Sequence, residues 1–120
     1  MIQDRPDLPE ILRAVREFIT SVLDALDDQA RYHALCANHL LGIAERELAL
    51  GPDLEAAALA RRRAFLGVEG SPEALTARLC AAIRDGDCDT RWDETVALVL
   101  DEVIAKVKVT KPDHLEPMHR

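Results

Sequence analysis

Ala30-Arg-Tyr-His-Ala-Leu-Cys-Ala-Asn-His-Leu-Leu-Gly-Ile-Ala-Glu-Arg-Glu-Leu-Ala-Leu50 is the stretch whose reading decides the fold. At roughly 100° per residue, Tyr32, Leu35, Cys36, His39 and Ile43 share one helical face. Leu40, Ala44 and Leu48 widen that face, and Arg31, Asn38 and Glu45, spaced at heptad intervals, form a narrow polar strip opposite. A helix apolar around most of its girth is expected to be central and covered by neighbours on several sides. The same stretch holds the chain's densest set of polar candidates: His33, Asn38, His39, Glu45 and Glu47.

Upstream, Asp7-Leu8-Pro9-Glu10 is a helix start. Asp7 caps the free amides, proline is tolerated in the first turn, and Glu10 sits at the capping-box position. Leu8, Leu12, Val15, Ile19, Val22 and Leu26 then recur at spacings of four and three, a narrow stripe suited to burial against another helix. Acidic side chains suit a helix start better than a helix end, so Asp27-Asp28 favours a break there, with Asp28 near the cap of the central helix; the alternative is one continuous helix, its three-four spacing carried on through Gln29, His33, Cys36, Leu40 and Ile43.

Downstream, Gly51-Pro52 reads as the end of that helix, because glycine suits a left-handed cap and proline cannot continue the hydrogen-bond ladder. Asp53 to Leu66 is then a third helix, with Leu54, Ala58 and Phe65 inside. Ser71-Pro72-Glu73 starts a fourth, ending at Asp85-Gly86, and Thr90 with Asp93 starts a fifth that carries Trp92, Val96, Val99, Leu100, Val103 and Val107. The expected fold is all-α: a single-domain antiparallel bundle of about five helices over residues 1–110, with a mobile tail over 111–120.

The 120 residues suffice for one core-bearing domain. With 48% hydrophobic and 31% charged residues, the composition is that of a globular chain, and at 3% aromatic it offers few platforms for stacking bases. A net charge of −7 repels phosphate backbones and anionic membranes, so neither nucleic acid nor membrane is an expected partner. The run Arg61-Arg62-Arg63 reads as a solvated face paired to nearby acids. Cys36, Cys80 and Cys88 are odd in number and lack a CxxC spacing, which, with no signal peptide, points to free thiols and a cytoplasmic location.

None of the polar clusters reads as catalytic machinery. His33-x-x-Cys36-x-x-His39 invites zinc, but the two histidines diverge by roughly 120° and lie about 9 Å apart along the axis, so no metal site is expected. Cys36 on a helix face lacks the open electropositive setting of a reactive thiol, and Asp87 and Asp89 disfavour the Cys88 thiolate. No carboxylate pair, glycine-rich phosphate loop or nucleophile elbow is present, and no cofactor is expected. His33, Asn38, His39 and Glu47 are therefore read as a polar network that either ties helices or subunits together or lines a ligand pocket beside the central helix.

Several segments, taken in order, carry a resemblance. They are Gln3-Asp4-Arg5-Pro6, Ala14-Val15-Arg16-Glu17-Phe18, Tyr32-His33-Ala34 with Ala37-Asn38, Glu45-Arg46-Glu47-Leu48-Ala49-Leu50-Gly51-Pro52, and Leu79-Cys80-Ala81-Ala82-Ile83-Arg84-Asp85-Gly86. Together they resemble a family of short all-helical bacterial proteins of unknown function, often encoded beside aminoglycoside-phosphotransferase-like kinases and acyl-CoA dehydrogenases. The resemblance covers about Gln3 to Val109 and supplies no functional residues. It implies a setting in acyl-CoA or hydroxy-acyl catabolism. The expected function is a non-catalytic accessory module, self-associating as a homodimer, that works with a kinase-like or acyl-CoA dehydrogenase-like protein. The alternative is a helical bundle that binds an acyl or acyl-CoA type ligand.

Overall fold

The computed structural model describes residues 2–120, which form four α-helices, several 3-10 turns and no strand. Helix α1 spans Leu8–Val22 behind the expected capping box: Glu10 N–H donates to Asp7 Oδ1 at 2.9 Å, and Asp7 N–H donates to Glu10 Oε2 at 2.7 Å. A 3-10 turn over Leu23–Ala25 and an extended Leu26 then separate α1 from α2. The break falls where the paired aspartates place it, but the cap is Asp27, whose carboxylate accepts from Ala30 N–H at 2.8 Å. Replacing Asp27 by alanine orphans that amide and is expected to cost about 1 kcal/mol, read as a lower melting temperature at fixed protein concentration.

The first correction concerns Gly51-Pro52. Helix α2 runs without interruption from Asp28 to Leu66, 39 residues, with Pro52 inside it, so the expected second and third helices are one and the α-helices number four. Two arginines explain why the local stop signal loses. Arg46 Nε donates to Val109 O at 2.6 Å, and Arg91 Nη1 donates to Phe65 O at 3.0 Å. These bonds clamp α2 to the last helix on both sides of Gly51-Pro52, so leaving the helix there would sacrifice packing along its whole C-terminal half. Glycine also eases the local geometry, since a residue before proline disfavours the helical region chiefly through its Cβ. The helix ends at Gly67, where φ is +68°, a conformation that costs glycine nothing.

Helix α3 spans Pro72–Arg84 behind Ser71, whose hydroxyl accepts from Ala74 N–H at 3.2 Å. Helix α4 spans Trp92–Thr110 and includes the β-branched run from Val103 to Val109. Thr90 does not cap it: Asp89–Arg91 form a 3-10 turn that feeds directly into α4, and no side chain caps the junction. Residues after Lys111 make 3-10 turns at Pro112–His114 and Pro117–His119, bury Leu115, and return Arg120 Nε to Leu115 O at 3.1 Å.

The architecture is a strut with two arms. At about 1.5 Å per residue, α2 alone accounts for the longest dimension of 58 Å. Helix α1 folds back along its N-terminal half, while α4, with α3 beside it, lies along its C-terminal half. Buried apolar side chains sit mostly at the α3–α4 end: Leu75, Leu79, Cys88, Leu98, Val109 and Leu115. The second correction follows. Tyr32, Leu35, Cys36 and His39, the face expected to be covered, are exposed, because α1 packs on the opposite side of α2, and Leu40 is exposed as well. The radius of gyration is 19.1 Å, whereas a compact domain of this length has one of about 14 Å.

Candidate functional site

The side chains proposed from sequence leave α2 in different directions. Asn38 turns toward α1 and donates from Nδ2 to Thr20 Oγ1 at 3.0 Å, a tie between the two helices. Beside it, Arg16 of α1 pairs with Glu45. His33 and His39 are exposed, and the His33 ring meets Tyr32 edge-on at 5.7 Å. Glu47 points the other way, covers buried Gly51, and lines a cleft of about 340 Å³ between α2 and α4. The structure therefore joins Asn38 to α1 and Glu47 to the α4 cleft, and leaves the two histidines on the surface. Among the described residues, no three His, Cys, Asp or Glu side chains are grouped to hold a metal ion.

The arginine run is the part of the chemistry whose structural role the sequence understated. Arg61 faces Asp101 at 4.0 Å and Arg63 faces Glu69 at 3.0 Å, as a paired surface would. Arg62 differs: its side chain is 15% exposed, it pairs with Glu102, and its Nη1 donates to Thr76 Oγ1 at 2.7 Å and Pro72 O at 3.4 Å. One guanidinium thus holds α2, α3 and α4 together at the end of the Glu47 cleft. Arg46 and Arg91 complete the clamp, and the Arg91 guanidinium also lies 4.1 Å above the Phe65 ring. The available signal was the adjacent basic pair Arg61-Arg62 on one helix and the adjacent acidic pair Asp101-Glu102 on another.

The surface also carries uncovered apolar side chains. A groove lined by Ile83, Trp92, Val96, Val99, Leu100 and Val103 presents no polar surface. On α1, Leu8, Val15 and Phe18 are exposed, Phe18 by 66%. The accessible surface is 8546 Å², against about 6,500 Å² for a compact monomer of this mass. Among the described residues no helix is long and apolar enough to cross a membrane.

Fold and surface together define an all-helical, non-compact chain in which polar side chains tie helices and several large apolar side chains are exposed. The chain belongs to the family described as a domain of unknown function (DUF6285), whose model matches residues 24–114. No curated protein and no solved structure matches it.

Proposed function

We propose that the protein is a non-catalytic accessory module, cytoplasmic and bacterial in setting, which binds a kinase-like or an acyl-CoA dehydrogenase-like protein. The observation that carries this reading is the uncovered outer face of α2, where Tyr32 and Leu35 are exposed beside His33 and His39. An apolar face rimmed by polar side chains is the usual form of a protein-binding surface. The identity of the partners rests on the setting implied by the family resemblance. Co-purification of the chain with each of the two proteins tests the reading. The expected result is a complex at micromolar concentration that Tyr32→Ala with Leu35→Ala weakens by about tenfold or more. Failure of both proteins to bind or to change activity sinks it.

The second reading, an acyl or acyl-CoA type ligand, is favoured by the cleft at Glu47, Leu54, Ala58 and Lys106. An apolar wall with a few convergent polar groups suits a small ligand. Here the expected outcome is a rise in melting temperature with acyl-CoA or acyl-carboxylate panels. Glu47→Ala should remove it if the cleft is the site, and His33→Ala if the ligand lies on the outer face instead. Absence of any shift across both panels rejects this reading.

A further inference from the structure

Two apolar stripes follow one another along the strut. On α1 the stripe is Leu8, Val15 and Phe18; on α4 it is the groove from Trp92 to Val103, walled by Ile83. Following helical phase at roughly 100° per residue, and taking Asn38 and Glu45 toward α1 and Leu54, Ala58 and Arg62 toward α4, both stripes open on one side of α2. That side is marked by Leu48, itself exposed. Tyr32, Leu35, Cys36 and His39 lie on the other side.

We propose that a second copy of this chain covers this face, with α1 of each protomer seated in the α3–α4 groove of the other about a two-fold axis crossing α2 between the two stripes. Three observations favour the copy over a foreign partner. The chain exposes about 2,000 Å² more than a compact monomer of its mass, while a standard interface covers about 800 Å² on each partner. The two stripes are similar in length, Leu8 to Phe18 and Trp92 to Val103 each spanning about three helical turns. They also follow one another along a single helix, so one two-fold operation about a point between them brings each stripe onto its complement and covers both twice. Pairing α4 with its own copy would leave Phe18 bare. The proposal specifies the self-association half of the accessory reading, and it leaves the Tyr32–Leu35 face free for the heterologous partner.

The experiment uses the full chain in a dilution series, followed by sedimentation, by the emission of Trp92, the sole tryptophan, and by alkylation of the thiols. The expected result is the mass of two chains, with Trp92 emission shifting to the red as dilution dissociates the dimer. Phe18→Glu and Leu100→Glu, at positions exposed in the single chain, should each weaken the dimer by about 30-fold or more while helicity is retained. Cys36 should alkylate equally fast at every concentration. A monomeric mass throughout, with Trp92 in water, overturns the proposal. So does a dimer indifferent to either glutamate, and so does a dimer that shields Cys36, which would put the interface on the outer face of α2. Should either variant lose helicity, the wild-type mass and emission series still decide. A monomer that captures the kinase-like protein ends the dimer and keeps the accessory reading; a dimer that captures neither partner does the reverse.

Discussion

Arg62→Ala is expected to destabilise the protein by about 3 kcal/mol, the low end of the range for removing one member of a buried ion pair. The reason is what the substitution leaves behind. Glu102 is 16% exposed at its side chain, so without the guanidinium its carboxyl group is left without its partner in a poorly hydrated place. Thr76 and the Pro72 carbonyl lose a donor at the same time. Two controls make the result specific. Arg61→Ala, whose partner Asp101 is half exposed, should change stability by less than about 0.5 kcal/mol. Arg62→Lys should recover little, because an ammonium group cannot span Glu102 and Thr76 with the planar fork that arginine provides. Urea unfolding at one fixed protein concentration measures all three. An Arg62→Ala protein as stable as Arg61→Ala would show that burial in the α2–α3–α4 seam gives the pair no added weight.

The arginine run also marks how far the sequence could be read. Helical periodicity, the Asp7-Glu10 capping box and the Ser71-Pro72 start are properties of a few adjacent residues, and each is found where those residues place it. The break at Asp27-Asp28 was legible for the same reason. Which apolar face is covered was not legible, because amphipathicity states that a face needs a partner and not whether that partner lies in the same chain. Tyr32, Leu35, Cys36 and His39 have the pattern of a buried face and are exposed in a single chain. Arg62 was opaque for a related reason: its neighbours Arg61 and Arg63 have identical chemistry, and only the tertiary position separates the tie from the surface charges. Of the four residues proposed for a site, Asn38 bonds to α1 and Glu47 lines the cleft toward α4, placements the wheel alone did not assign, since they depend on where α1 and α4 lie along α2.

Pro52→Ala is expected to stabilise the protein by about 1–2 kcal/mol, less than the roughly 3 kcal/mol penalty of a proline in an ideal helix, because the native backbone has already adapted to it. The added N–H can complete the ladder to the Leu48 carbonyl inside a helix that passes through Gly51-Pro52 uninterrupted. Gly51→Ala alone should act in the opposite direction. A Cβ there meets the Glu47 carboxyl end, and it also meets the Pro52 ring, which restricts any residue preceding it. Glu47 can swing aside, since the contact is with the far end of a flexible side chain; the proline cannot. In the Pro52→Ala background Gly51→Ala should therefore become neutral or favourable, a change of sign that a double-mutant cycle reads as a coupling of about 0.5–2 kcal/mol. Thermal unfolding of the four proteins, at equal concentration, decides the point. A destabilised Pro52→Ala protein would mean that the helix needs the proline's geometry to carry α4 across its second half, and the Gly-Pro pair would then be a shaping element of the strut instead of an interruption that packing overrides.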